Sequence, residues 1–157
     1  MNLVIRQLDP GNVRDLDQMV SVLQSYAQDP MGGASKISDN VINRLYKTLP
    51  QQKNAVLFLA EIDGESVGIA NCFIGYSTFK AKELINIHDL AVVPGQRGQG
   101  IGDRLLEAVT QFAKTKSLCK VTLEVRSDNR AKSLYQRHGF GSASYATQDM
   151  LSWEKSV

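Results

Sequence analysis

The stretch VVPGQRGQGIGDRLL, residues 92–106, constrains the fold more than any other part of the chain. Gly95, Gly98, Gly100 and Gly102 fall within eight residues, directly ahead of apolar positions at helical spacing. Glycine weakens a helix or strand by about 0.5–1 kcal/mol relative to alanine, so such a run has a use for bare backbone. One use is a tight bend, and another is bringing main-chain N–H groups against a ligand. Upstream, INIHDLAVV (85–93) reads as a strand closed by Pro94 and Gly95. Downstream, Ile101, Leu105, Val109, Phe112 and Ala113 mark one face of a helix. A strand, a glycine turn and a helix in that order place unpaired N–H groups and partial positive charge at one point, which suits a phosphate.

Register excludes two phosphate-binding patterns. A P-loop requires GxxxxGK[ST], but Gly102 is followed by Asp103 and Arg104, so the phosphate-binding lysine is missing. A dinucleotide fingerprint requires GxGxxG, and counting from Gly98 or Gly100 puts Asp103 or Leu105 at the third glycine.

The remaining elements fall into place around this unit. LVIRQL (3–8) reads as a first strand, and DPGN (9–12) as the turn into a helix carrying Val13, Leu16, Met19, Val20, Leu23 and Tyr26. DPMGGAS (29–35) breaks that helix, Ser38 offers an N-cap for a second one, and Pro50 ends it. AVLFLAEI (55–62) and SVGIANCFIG (66–75) are strands joined by a DGE hairpin turn. KVTLEV (120–125) alternates, so one face is buried and the other polar; residues 130–137 form a short helix ended by Gly139, and the tail adds one or two strands. With 157 residues, no internal repeat and no linker, residues 1–157 form a single mixed α/β domain with one central sheet.

Composition narrows the partners. A hydrophobic share of 43% and a charged share of 22% describe an ordinary soluble protein. A net charge of +2 is too small to point to nucleic acid, though it tolerates an anionic small ligand. There is no signal-peptide pattern and no apolar run near membrane-spanning length, so no membrane is expected and the location reads as cytoplasmic. Cys72 and Cys119 lie in apolar runs without metal-ligand spacing and read as buried thiols; no metal is expected.

Two linked segments carry a family resemblance. The strand end Leu90-Ala91-Val92-Val93-Pro94, followed by Arg97-Gly98-Gln99-Gly100-Ile101-Gly102, resembles the pyrophosphate loop of the GNAT superfamily of N-acetyltransferases. The segment LEVRSDNRAKSLYQRHGF (123–140) resembles that family's strand, Asn, short Leu-Tyr helix and Gly-Phe. The resemblance implies an α/β GNAT fold: a mixed sheet of six to seven strands with about four helices. It also implies that acetyl-coenzyme A lies in a splay between two parallel strands, here 85–93 and 119–126. Leu90, Ala91 and Val92 would bond the pantetheine arm through their backbone. Arg97, Gly98, Gln99, Gly100, Ile101, Gly102 and Asp103 would form the pyrophosphate cradle. Asn129 matches the family Asn on the cofactor arm, and Tyr135 the tyrosine near the sulfur. The family places these two seven positions apart and this chain six, which leaves Asp128 as an alternative to Asn129.

The chemistry adds roles. An alkyl amine with a pKa of about 10.4 lies roughly three units from neutral at pH 7, a cost of about 4 kcal/mol, so the reaction needs a base. A phenol stays protonated at that pH and can donate to the departing sulfur, a role that suits Tyr135. His88, Asp89 and Glu124 are the candidate bases. Neighbouring strand residues point oppositely, so His88 and Asp89 share a face only if a bulge intervenes. The acceptor side is expected from residues 26–36 and 76–80, which do not distinguish among amines. The expected activity is acetyl transfer from acetyl-coenzyme A to a primary amine of a small molecule by direct attack. The alternatives are a protein N-terminal or lysine acetyltransferase, and a coenzyme A-binding module without turnover; a homodimer stays open.

Overall fold

The structure is a computed structural model and describes residues 2–142 and 150–157. Strand β1 (Leu3–Gln7) leads through a turn to helix α1 (Val13–Gln28), whose N-cap Asn12 accepts the Asp15 N–H at 3.2 Å. A short 3₁₀ turn (Pro30–Gly32) follows, then helix α2 (Asp39–Thr48), capped by the Ser38 hydroxyl as expected. Strands β2 (Ala55–Ile62), β3 (Glu65–Ser77) and β4 (Lys82–Val92) form an antiparallel meander. Helix α3 (Ile101–Thr115) crosses over to strand β5 (Lys120–Arg126), and helix α4 (Lys132–Arg137) precedes strands β6 (Gly141–Ser142) and β7 (Met150–Ser156). The sheet order is β1-β2-β3-β4-β5-β7-β6, and β4 with β5 is the parallel pair among the described strands.

Both faces of this sheet are covered, which explains why β2 reads as a continuous apolar run. Val56, Phe58 and Ala60 point to the side of α3, where Ile101, Leu105, Leu106 and Val109 are buried. Leu57 and Leu59 point to the side of α1 and meet Leu16, Met19 and Val22. Burying each of these large side chains contributes roughly 1.5–3 kcal/mol. Arg6 fixes α1 to the sheet edge: its guanidinium bonds Asp15 of α1 at 2.7 Å and Glu61 of β2 at 2.9 Å.

Two irregularities prepare the site. The β4–β5 ladder holds only Ile85↔Val121, Asn86↔Thr122 and Ile87↔Leu123, after which the strands part. In the β3–β4 ladder Cys72 faces Ile87 while Asn71 faces Asp89, so His88 is an extra residue in β4. The bulge reverses the alternation. Ile85 and Ile87 before it, and Leu90 and Val92 after it, all face α3, whereas Ala91 faces α1.

Two expectations need correction here. Cys72 is buried, but Cys119 is only partly so, because it sits where the chain enters β5 at the sheet's end. The segment 76–80 is the tip of the long β3–β4 hairpin, with Phe79 fully exposed. It lies at the end of β4 opposite the β4–β5 gap, so it does not reach the site.

Candidate active site

Where β4 and β5 part, a cleft of about 590 Å³ opens between them. Its floor and sides bring together residues from distant stretches of sequence: His88, Leu90 and Val92 from β4, Leu123 and Glu124 from β5, and Tyr135 from α4. The glycine loop closes one end with Arg97, Gly98, Gly100, Ile101, Gly102 and Asp103, and Asn129 stands beside it. Asp128 is not on the wall; it pairs with Arg126 at 2.9 Å, so of the two alternatives Asn129 is the one at the cleft. Gln99 is not on the wall either, its amide turned to Gln96 at 2.9 Å.

The loop's conformation follows from its glycines. Gly98 and Gly100 both have φ of 77°, in the left-handed region where an L side chain is strained. The space where a Cβ would stand is open at both. Gly100 is the N-cap of α3 and supplies no side-chain cap, so the first-turn N–H groups of α3 have no partner within the helix. Bare backbone, unpaired donors and the helix's positive end together fit a diphosphate.

The ladder decides which main-chain groups of β4 face the gap. Val93 donates its N–H to the Val67 carbonyl at 2.9 Å, and bonded pairs alternate along an antiparallel ladder. Asp89 and Ala91 therefore turn their backbone groups to β3, while Leu90 and Val92 turn theirs to the gap. This corrects the expectation that Ala91 bonds an extended ligand through its backbone. Arg97 Nε donates to the Val92 carbonyl at 3.1 Å, which leaves both Leu90 groups and the Val92 N–H toward the cleft.

The bulge separates two candidate bases. His88 is exposed on the cleft wall, its ring edge-on to Phe73 with centroids 4.9 Å apart. Asp89 is not on the wall: it is largely buried on the α1 side and accepts the Asn71 amide at 3.1 Å. Burial pushes its carboxyl above the ordinary range, against the opposing pull of the Asn71 hydrogen bond and of His88. Glu124, on the polar face of β5, is exposed to the cleft.

Tyr135 serves the core and the cleft at once. Its ring is buried edge-on to Phe140 and Trp153, at 6.0 and 6.3 Å, and it also lines the cleft wall. Burial pushes the phenol up to about 12, with a further contribution from Tyr26. It is therefore a protonated donor at neutral pH. Asn129 orders the turn into α4, accepting the Ala131 N–H at 2.8 Å.

Sequence reading missed part of this wall. Arg126, Arg130 and Arg137 line it beside Asn129 and Tyr135, and their clustering around the RSDNR segment was the available signal. Asp103 is held by Arg137 at 3.2 Å and His138 at 2.9 Å, which joins the start of α3 to the end of α4. Tyr26, Asp29 and Met31 also line the cleft, with Asp29 paired to Arg97 of the glycine loop at 2.8 Å. Cys72 lies off the wall, and burial raises its thiol well above its ordinary value. Among the described residues no group of three or more His, Cys, Asp or Glu side chains could hold a metal ion, and no helix is long and apolar enough to cross a membrane.

Comparison with known proteins agrees with this geometry. The model of the Acetyltransferase (GNAT) family matches residues 21–140. An uncharacterized N-acetyltransferase of Archaeoglobus fulgidus is 34% identical over 123 residues, which cover 77% of this chain and 83% of that protein. The uncharacterized N-acetyltransferase YhfO of Bacillus subtilis is 33% identical over 91 residues, covering 57% of this chain and 61% of its own length. Among solved structures, PaiA N-acetyltransferase of Thermoplasma acidophilum, determined in complex with coenzyme A, superposes with a TM-score of 0.76 at 19% identity over the whole of both chains. The chain belongs to the GNAT family, whose members are acetyltransferases that use acetyl-coenzyme A.

Proposed function

We propose that this protein moves the acetyl group of acetyl-coenzyme A to a primary amine of a small molecule by direct attack. The observation that carries the reading is the convergence of a buried phenol and a candidate base on one cleft. Tyr135, His88 and Glu124 line the same cleft, beside a glycine loop that fits a diphosphate. Gly98 to Asp103 would hold the pyrophosphate through their N–H groups, and Leu90 and Val92 the pantetheine arm. Acetyl-coenzyme A supplies an activated acyl group with a thiolate leaving group. The protein's part is to orient the amine, accept its proton and protonate the sulfur. His88, set off the ladder by the bulge, accepts the proton. Tyr135 donates to the sulfur, where general-acid assistance of this type contributes about 10²–10⁴-fold.

A small acceptor is favoured by the lining that α1 and the 3₁₀ turn add to the cleft. The end of α1 and the 3₁₀ turn set Tyr26, Asp29 and Met31 into the cleft lining, which supports a short acceptor over an extended peptide. The test is a panel of primary amines, amino sugars, amino acids and peptides offered with acetyl-coenzyme A, following release of free thiol. Turnover of small amines at rates at least tenfold above peptides is expected. Turnover confined to peptides would assign the protein acetyltransferase reading instead. Cofactor binding without thiol release from any acceptor would leave a binding module.

A further inference from the structure

Arg97 does not point at the anion cradle. Its Nε donates to the Val92 carbonyl at 3.1 Å, and its terminal nitrogen pairs with Asp29 Oδ2 at 2.8 Å. The other oxygen of Asp29 accepts the Met31 N–H at 3.0 Å, which caps the 3₁₀ turn of the acceptor-side wall. A continuous run of hydrogen bonds therefore links the strand facing the cofactor gap, the glycine loop and the acceptor wall. Both charged groups are largely shielded, with side-chain exposures of 30% for Arg97 and 17% for Asp29. The bonds are charge-assisted, the stronger class of hydrogen bond. The Met31 N–H, and after it the Arg97 guanidinium, hold the Asp29 carboxyl below its ordinary range, so it is a carboxylate at neutral pH.

The segment after Asp29 is held by its carboxylate at the Met31 N–H and otherwise by main-chain carbonyls. The Gly32 and Ala34 N–H groups bond the Asp29 carbonyl at 2.8 and 3.0 Å, and the Ser35 N–H bonds the Ala27 carbonyl at 3.1 Å. Asp29 is thus the point on which residues 30–35 are organised. Arg97 is its tie to the loop that receives the diphosphate.

We propose that Arg97 and Asp29 are positioning residues that transmit occupancy of the glycine loop to the acceptor wall, so that the wall is ordered for the amine once coenzyme A is in place. The proposal rests on the reading of the cleft as an acetyl-coenzyme A site. Order at Gly98 limits the motion of Arg97, Arg97 limits Asp29, and Asp29 fixes the turn bearing Met31. Coupling of this kind needs an element with two arrangements that both sites bias, a role assigned to these contiguous bonds.

The test is amide hydrogen exchange of the intact protein with and without coenzyme A, resolved for segments 30–35 and 98–103. In the wild type, coenzyme A is expected to slow exchange in both segments, by about tenfold or more at 30–35. Asp29→Asn keeps an acceptor for the Met31 N–H but loses the charge, and Arg97→Gln loses the guanidinium. In both variants protection should persist at 98–103 and fall at least threefold at 30–35, with the double variant no worse than either single one. Protection at 98–103 with none at 30–35 in the wild type would overturn the coupling alone. So would undiminished protection at 30–35 in both variants. No protection anywhere, with no coenzyme A binding by calorimetry, would overturn the coupling together with the cofactor reading.

Discussion

The Asn86 amide donates to the Thr122 hydroxyl at 2.7 Å, one residue before β4 and β5 part. This bond sits at the base of the cleft and pins the last paired turn of the only parallel ladder among the described strands. Thr122→Val keeps the volume and removes the acceptor. A bond of this kind contributes about 0.5–1.5 kcal/mol, so Tm should fall by about 1–6 °C in a thermal melt. An unchanged Tm would show that the strands are held by packing alone.

Gly100 makes a sharper test of the loop. Its φ of 77° strains any L residue, and a side chain there would fill the open space over the first turn of α3. Gly100→Val should lower the Tm of the free protein by an amount reflecting roughly 1–2 kcal/mol of backbone strain. It should also abolish the rise in Tm that acetyl-coenzyme A gives the wild type, a rise that follows from binding the folded state alone. A ligand-induced rise of wild-type size in this variant would remove the loop from the cofactor site.

Asp89 gives a pH signature. Burial raises its carboxyl in the folded protein, so the folded state holds that proton more tightly than the unfolded chain does. The stability linked to it is complete below the unfolded carboxyl value of about 3.9 and is lost as pH rises through the raised folded value. At neutral pH the protein lacks that stabilisation in part or whole, and the buried carboxyl costs stability. Asp89→Asn should therefore raise Tm at neutral pH, by about 2–4 °C for each kcal/mol relieved, and change it little below about pH 4. A Tm that falls equally at both pH values would mean that the carboxylate is structurally required.

His88 and Glu124 separate by substitution. His88→Gln should cost about 10²-fold or more in kcat/KM. Glu124→Gln should cost no more than a few-fold. The reverse pattern would put the base on β5.

The bulge that sets His88 apart has a trace in the sequence. Apolar residues stand at 85 and 87, then at 90 and 92, a slip of one position that falls on His88. The glycine loop, the order of elements and the inward Tyr135 were legible for a similar reason: each is a local pattern forced by backbone geometry or burial. The tie between Arg97 and Asp29 was not. It joins residues far apart in the chain, and neither has a local pattern that names its partner. The role expected of the 76–80 segment also failed to appear. Strand length decided which end of the hairpin faced the gap, and β3 and β4 run on past the sheet's parallel pair.

Tyr135 links that local pattern to the chemistry. Tyr135→Phe keeps the ring against Phe140 and Trp153 and removes only the hydroxyl. The expected result is a loss of about 10²-fold or more in kcat with little change in KM for acetyl-coenzyme A. A several-fold loss would return Tyr135 to a packing role.

Direct transfer inside one cleft is tested most directly by initial velocities, with acetyl-coenzyme A and the best small amine varied against each other. Attack by the amine with both substrates bound gives reciprocal plots that intersect, and no acetylated protein on rapid quenching. Parallel plots, with an acetyl group trapped on the protein and detected by mass spectrometry, would contradict it, since they are the signature of a covalent enzyme intermediate.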